Sequence, residues 1–513
     1  MANSPDLELV VSRSTKHHGI ALWPAPSQDP RDPLRWPRWL KVLAIFSTAL
    51  CNFTSNFAGS GPSVAIPLLE MQFQKSANTV NGLLTFNFLL LGLGNLVWVP
   101  FAVKFGKRAS LITSMALLFA VLCWTASAKS FTSLLAARCI SGFAAAAGES
   151  IVPGIVSDLF FLHERAAMMS VYVILASSST AIGPLIAAYI VQYSPGTWRD
   201  FVWLSAAIAG LNLVLLILFY PESNFHRPHD EPSTKARSSS ESDAEKGTTE
   251  HIRERETSHG VQHIDHVQVP WTSIWFSFFT VDKTVNIFKT AVKPLAFLAI
   301  PNVLWAVFVY GTALSAQIIM IFAFPSFLLA PPYLFSASEV GLMQIAAVIG
   351  FVIGMFGGGW LADVITVRSI LKSNGHISQE QRLWALLPGF WVGPVGCLIV
   401  AVACSRLLHW SVIAIGFGFV SFATVFGPNI AITYVVESYP DIATQSVVII
   451  NAAKNLLAFI FLYVAVNWIH GSGWLEVYMI MFMLSLLGSL FAIPLYLYGG
   501  DLRRWSSSKK MLF

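Results

Sequence analysis

Charge is what this chain lacks. Asp, Glu, Lys and Arg make up 12% of its 513 residues, against about 25% in an ordinary soluble domain. So few charges cannot dress a water-facing surface, which excludes a soluble globular protein. Cysteine is sparse as well. All five, Cys51, Cys123, Cys139, Cys397 and Cys404, fall inside apolar runs, which argues against a disulfide framework or a metal cage. There is no Walker loop, no His/Cys set at metal-ligand spacing and no long soluble stretch to seat a nucleophile. Neither an enzyme, nor an ATP-driven pump, nor a cofactor is expected. The basic residues form no stripe interleaved with stacking aromatics, which argues against nucleic acid as a partner. Residues 1–40 are polar and proline-rich and open with no apolar core, so no cleavable signal peptide is expected.

What is abundant is apolar length. Hydrophobic residues make up 55% of the chain and aromatics 13%. Of thirteen apolar stretches, twelve run for about 20 residues or more, enough to cross a hydrocarbon core of about 30 Å as helices. They lie near 42–66, 78–101, 109–127, 132–156, 166–192, 201–220, 295–323, 339–362, 384–404, 410–435, 444–467 and 475–498. The expected fold is an all-α polytopic membrane protein of twelve transmembrane helices in two six-helix bundles. With the amino terminus in the cytoplasm, the cytoplasmic segments hold 26 of the 32 Lys and Arg residues. The other side holds Lys75, Lys129, Arg199 and Arg406, and Arg138 and Lys454 fall inside spans. This is the positive-inside pattern, and it places both termini in the cytoplasm.

The chain divides into a tail at 1–41, a bundle at 42–221, a central loop at 222–294, a second bundle at 295–498 and a tail at 499–513. Within the loop, 226–266 is rich in Ser, Glu, Arg, Lys and His and nearly free of apolar residues, a composition that favours disorder. The thirteenth apolar piece, Trp271 to Phe279, is too short to cross. With Val281, Lys283, Ile287, Phe288 and Lys289 after it, it predicts an interfacial helix near 271–289. The two halves echo each other: the second span runs into Lys104, Gly106, Lys107 and Arg108, the eighth into Gly358, Gly359 and Asp363. Six-span repeats around a shared cavity are a transporter architecture.

Several strings carry a likeness to a known family. They are Asp29 to Pro37 before the first span, Gly94-Asn95 through Trp98 and Pro100 to Arg108, and Arg138 to Gly142. Others are Ser157-Asp158 through His163-Glu164-Arg165, Pro331-Pro332-Tyr333, Asn374-Gly375 through Arg382, and Thr433-Tyr434 to Tyr439. In this order the chain resembles the major facilitator superfamily over 36–500. Within it, the likeness is to the fungal twelve-span drug:proton antiporter-like group, which includes histidinol- and polyamine-type carriers. The family's loop between spans two and three usually has an early glycine and an acid, where this chain has Val99 and Val103. The missing acid leaves Lys104, Lys107 and Arg108 without their nearest loop partner, whereas Asp363 keeps the acid in the other half. The resemblance implies that these turns, with Gly106 and Gly359, lock the inward gate.

The fourth span carries buried charge, which is costly in a bilayer and marks a functional candidate. Arg138 and Glu149 are eleven residues apart, so they return to nearly one azimuth, about 16 Å apart along the axis. Gly142 and Ala145 lie on the stripe between them. The resemblance implies proton coupling for Arg138. Glu149, the only carboxylate placed well within a span, is the group that would titrate. A fixed structural pairing with neighbouring helices explains both residues equally, and the sequence leaves this open.

In the fifth span, Ser179, Gly183, Pro184, Ala187 and Ala188 resemble the antiporter motif of exporters, with small residues where glycines are ideal; a kinked packing helix fits the same residues. In the eleventh, Asn451, Lys454 and Asn455 share a face. Lys454 either meets substrate or pairs with Glu437 or another helix. Asn56, Asn87, Tyr310, Gln317, Gln344, Asn429 and Tyr434 are further cavity candidates, each also explicable as a helix–helix hydrogen bond. Gly350, Gly354 and Gly358 form a packing ridge. Asn52 to Thr54 matches a glycosylation sequon but sits inside a span.

The function expected from these residues is a proton-coupled secondary transporter that exports a small organic compound, a drug or secondary metabolite, across the plasma membrane; a vacuolar membrane is the other location. Its partners are a small-molecule substrate, protons and membrane lipid, and a monomer is expected. Two rivals stand beside it. One is uptake of a small organic cation such as a polyamine by proton symport, disfavoured by two buried cations against one carboxylate. The other is a non-transporting membrane sensor, disfavoured by the lack of an ordered cytoplasmic domain.

Overall fold

The structure, a computed structural model, describes residues 32–225, 285–358, 389–439 and 442–508, with Leu383 and Leu386 between them. Among these residues all regular structure is helical. The apolar runs dictate this, because a lipid-embedded backbone must satisfy its own hydrogen bonds and a helix does so within one segment.

In the amino half, α1 (Arg38–Ser60) passes through a 3-10 turn (Gly61–Ala65) into α2 (Ile66–Phe73). Then come α3 (Ala77–Phe105), α4 (Lys107–Ser127), α5 (Phe131–Leu159), α6 (Leu162–Tyr193) and α7 (Trp198–Phe219). Only Gly106 separates α3 from α4. Its φ of 98° lies in the left-handed region where glycine alone is unstrained, so the chain reverses in one residue. Ser130 starts α5 by accepting a hydrogen bond from the Ser133 N–H, an N-cap that satisfies one orphan donor.

In the carboxy half, a short helix α8 (Ile287–Val292) and a 3-10 stretch (Lys293–Ala299) lead into α9 (Pro301–Leu329). After it come α10 (Ala337–Leu342), α11 (Gln344–Phe356), α12 (Val392–Ser405), α13 (Trp410–Ser438), α14 (Ala443–Leu490) and α15 (Ala492–Ser508). Among the described residues, ten helical stretches are long and apolar enough to cross a membrane. The last of these is two crossings, broken at Gly473, where φ is 79°. The shorter apolar helix Val392–Ser405 supplies the remaining one, giving twelve.

Two expectations shift. The seventh span begins at Pro301 rather than 295, because Pro294 and Pro301 bracket a 3-10 turn and proline is preorganised for the first helical position; the helix then runs on to Leu329. Of the interfacial helix expected near 271–289, residues 271–284 lie outside the described residues, as does 226–266. What is described is α8, opened by the Asn286 side chain, with Phe288 exposed.

Helix backbones approach closely where glycines allow it. A methyl group on Gly142 would sit 2.1 Å from the Asn87 carbonyl oxygen, and one on Gly350 2.2 Å from that of Gly418. These are α3–α5 and α11–α13 contacts, the small-residue packing that replaces hydrophobic drive in lipid. Large apolar side chains such as Trp203, Leu211, Ile353 and Tyr463 point outward and stay exposed, the surface a bilayer covers.

The two halves meet at the end remote from Arg38. There Asn81 donates to the Leu462 carbonyl at 3.1 Å, and the Ser338 N–H donates to Gln192 at 2.6 Å. Gly341 of α10 lies against Ala188 and Leu185 of α6 in the same seam.

Candidate functional site

Between the halves lies the one ion pair that joins them among the described residues. The Lys454 ammonium of α14 is 2.5 Å from the Glu149 carboxylate of α5, and the side chains are only 5% and 14% exposed. Each helix brings its charge inward for the same reason: an unpaired charge in the apolar interior is expensive, and a partner across the seam offsets that cost.

The carboxylate is further fixed by amides. Asn455 donates to Glu149 Oε2 at 2.7 Å and Asn95 of α3 donates to the same oxygen at 3.1 Å. The ammonium lies 3.9 Å from the centroid of the Tyr310 ring on α9, a cation–π contact. From α6, the Tyr172 hydroxyl donates to the Glu149 carbonyl at 3.3 Å. Asn52 of α1 donates to that hydroxyl at 2.8 Å, and Asn56 to Asn52 at 3.2 Å. Six spans therefore converge on one cation, one carboxylate and a polar chain reaching into α1. Such a site can bind and release a proton, or exchange its ion pair for contacts with a polar guest.

Of the residues singled out by sequence, the structure gathers Glu149, Tyr310, Lys454, Asn455 and Asn56. Asn451 is buried on the same helix face. Others stand apart. Asn87 spends its amide on the Arg138 carbonyl at 2.8 Å and on Ser141 at 2.9 Å, tying α3 to α5. Tyr434 is wholly buried in the carboxy-half core, where Asn302 donates to its hydroxyl at 3.3 Å. Gln317 accepts from Ser421 at 2.9 Å, and Gln344 is buried at the start of α11. Asn429 is half-buried on α13, and its carbonyl accepts from Thr433.

Arg138 does not share a site with Glu149, although both lie on α5. Its Nη1 and Nη2 donate to the carbonyls of Ala58 and Gly59 at 2.9 and 2.6 Å, at the end of α1. Ser179 is buried and donates to Ala176; Gly183 abuts the Phe57 carbonyl, and Ala187 and Ala188 are buried around Pro184. This face of α6 is packed against α1 and α10.

The acid missing at Val103 is supplied from farther along the chain. Lys107 pairs with Asp158 at the end of α5 and also donates to the Gly154 carbonyl. Glu222, just beyond α7, accepts from the backbone N–H groups of Lys107 and Arg108 at 3.1 Å each and from Asn224 at 2.9 Å. It thus caps the amino end of α4, where the helix dipole favours an anion. Burial still pushes its carboxyl above the ordinary value of 4.5, against the pull of those donors and of the Lys107 charge. Arg108, 1% exposed, donates to the Ile217 carbonyl. Lys104 stays near the Phe105 ring, and Gly359 and Asp363 lie outside the described residues.

Sequence reasoning missed Asn52, Asn95, Tyr172 and Glu222. Asn95 and Asp158 stood inside strings that carried the family likeness but received no role. Asn52 was set aside with its sequon, yet its amide is committed to Tyr172.

Residues 48–462 match the model of the Major Facilitator Superfamily. The chain is 27% identical to Protein HOL1 of Saccharomyces cerevisiae, over 95% of this chain and 91% of that one. It is also 27% identical to a protein of Aspergillus flavus described as a probable efflux pump, mfs2, over 74% of this chain and 83% of the relative. Among solved structures, the xylose transporter XylE from E. coli, in a partially occluded inward-open conformation, aligns with a TM-score of 0.57 at 16% identity. That alignment covers 88% of this chain and 97% of the other, and it is a likeness of fold.

Proposed function

The chain belongs to the Major Facilitator Superfamily, and on that premise we propose that it is a proton-coupled secondary transporter exporting a small organic compound across the plasma membrane. It works by alternating access, the two bundles rocking about a site between them. The observation that carries this reading is the Glu149–Lys454 pair, which bridges the halves deep inside both helices. A carboxylate there can carry a proton from one side to the other when the halves rock. Arg138, tied to the end of α1, positions that helix against α5 and serves proton coupling through that position. Lys104, Gly106, Lys107 and Arg108, with Gly359 and Asp363, act as gating turns on the cytoplasmic side. Asn56, Tyr310, Asn451, Lys454 and Asn455 line the path of the cargo.

Export is supported by the description of the Aspergillus flavus relative as a probable efflux pump and by the small-residue face of α6 around Gly183 and Pro184. Both termini then face the cytoplasm, the carrier acts as a monomer, and its partners are a small organic molecule, protons and lipid. Uptake of an organic cation by symport is the second reading. Its support is that Glu149 and the Tyr310 ring already cradle an ammonium, that of Lys454.

One experiment separates these. Accumulation of labelled quinidine and of spermidine is compared in cells with and without the protein, at two external pH values. Quinidine accumulation lowered by the protein, more so at acid external pH, supports export. Spermidine accumulation raised by it supports uptake. Indifference to pH removes proton coupling from either reading.

A further inference from the structure

The last turn of α15 is docked, and a serine sits at the contact. Ala492 and Leu495 are buried and Leu502 packs beside them; Ser506 follows at helical spacing on the same stripe. Ser506 is wholly buried. Its hydroxyl donates to the Arg503 carbonyl at 3.0 Å, which spends its only proton. The Tyr439 hydroxyl, 3.1 Å away, therefore donates to the Ser506 oxygen. Tyr439 ends α13, and the Ile442 N–H donates to its carbonyl at 3.2 Å just before α14 begins. The docked serine thus lies against the turn that joins α13 to α14, the helix that carries Lys454.

The sequence leading to this serine is Arg503-Arg504-Trp505-Ser506, with arginines three and two places ahead of the hydroxyl. A serine kinase with an acidic substrate cleft reads such a pattern, because each guanidinium can make charge-assisted contacts to its carboxylates. We propose that Ser506 is a phosphorylation site for such a kinase, and that phosphorylation and docking of α15 on Tyr439 exclude each other. The step is a phosphoryl transfer from ATP. The Ser506 oxygen attacks the γ-phosphorus and a new O–P bond forms, while the bond to the β–γ bridging oxygen breaks. ADP leaves, and the hydroxyl proton passes to the kinase's base. A wholly buried hydroxyl has no room for a phosphorus and its oxygens. The group also brings about −1.5 to −2 charges to a helix C-terminus, where the dipole is already negative. Phosphorylated Ser506 therefore stays in water, and the kinase acts on the share of molecules in which this terminal turn has frayed. The turn between α13 and α14 then loses its cover. The inference rests on the proposed topology only in that the kinase and this end of the chain must share the cytoplasm.

The test uses the full-length protein in detergent, where both faces are open, with ATP and the catalytic subunit of cyclic-AMP-dependent protein kinase. Mass spectrometry reads the phosphate at each serine, and amide hydrogen exchange over 499–506 and 439–442 reads docking. Ser506 should take the phosphate, and the phosphorylated protein should exchange faster over both stretches. Tyr439→Phe keeps the ring and removes the hydroxyl, so the initial rate of phosphorylation should rise about fivefold, the equivalent of one ordinary hydrogen bond. The Arg504 side chain is 87% exposed. Arg504→Gln should therefore keep the parent's exchange and slow phosphorylation about tenfold, through loss of a charge-assisted contact to the kinase. The inference is overturned if Ser507 or Ser508 takes the phosphate in place of Ser506, or if Ser506 stays unmodified even in Tyr439→Phe. It is equally overturned if phosphate on Ser506 leaves exchange over 439–442 unchanged. Phosphorylation of Ser506 in detergent, alongside a C-terminal tag that antibody reaches on unpermeabilised cells, removes the proposed topology and leaves the exclusion between phosphate and docking standing. No phosphate on Ser506, alongside a tag reached only after permeabilisation, removes the site and leaves the topology standing.

Discussion

Arg138 holds Gly59: its Nη2 donates to that carbonyl at 2.6 Å, while Nη1 takes the neighbouring Ala58 carbonyl at 2.9 Å. Both carbonyls lie in the last turn of α1, where a helix has orphan acceptors and the negative end of its dipole. The residue four places beyond Ala58 is Pro62, which has no N–H to give. The guanidinium supplies the missing donor, and the chain bends there into the 3-10 turn Gly61–Ala65.

Replacing this side chain should separate insertion from activity. Arg138→Ala leaves two carbonyls unsatisfied inside the protein, at a cost of about 1–3 kcal/mol each, so transport is expected to be abolished. Membrane abundance should stay near that of the parent, because twelve apolar helices still insert. Arg138→Lys keeps the charge but reaches one carbonyl at a time, and partial activity is expected. Efflux of the probe normalised to surface protein measures both; full activity in Arg138→Ala would overturn the positioning role.

Close packing makes a sharp contrast between glycines. Gly142→Ala places a methyl 2.1 Å from the Asn87 carbonyl, whereas Gly59→Ala meets nothing within 4 Å. Overpacking of a tight contact costs about 1–3 kcal/mol. Gly142→Ala should therefore lower the melting temperature in detergent by several degrees, with Gly59→Ala close to the parent. Equal melting temperatures would mean that α3 and α5 do not approach as described.

Glu222 predicts a pH signature on stability. Its carboxyl is held above 4.5 by burial, so the folded state binds the proton more tightly than the unfolded chain does. Stability from this group is therefore present near pH 4.5 and is lost as pH rises through the raised folded value. Relative to Glu222→Gln, the parent protein should lose melting temperature across that window as pH rises. A constant difference between the two proteins from pH 4.5 to pH 8 would contradict the burial of this carboxyl.

The fold was legible because its signal is long and redundant: twelve apolar runs, positive loops on one side, and glycines such as Gly106, Gly142 and Gly350 where chains turn or touch. The site was legible only in part. Glu149 and Lys454 stood out because a charge inside an apolar run is rare, yet nothing local says they face each other, since they are far apart in sequence and belong to different halves. Arg138 and Glu149 share an azimuth on α5, which suggested a common task. That spacing says nothing about the neighbours, and α1 claims Arg138 while α14 claims Glu149. Asn95 and Glu222 were missed for a related reason. An amide or acid acquires its role from the group it reaches, and that group lies in another span or turn.

Tyr310 offers a test of what sets the position of the Lys454 ammonium. The ring centroid lies 3.9 Å from the nitrogen, and such a contact is worth about 0.5–2 kcal/mol depending on how dry it is. Tyr310→Phe keeps the ring face and should hold the efflux rate within about twofold of the parent, because the ring quadrupole supplies most of the attraction. Tyr310→Leu keeps the apolar volume and removes the quadrupole. Lys454 then depends on Glu149 for its placement, so the efflux rate should fall by about threefold or more while surface abundance is unchanged. If Phe and Leu lower the rate equally, the phenolic hydroxyl rather than the ring positions the ammonium.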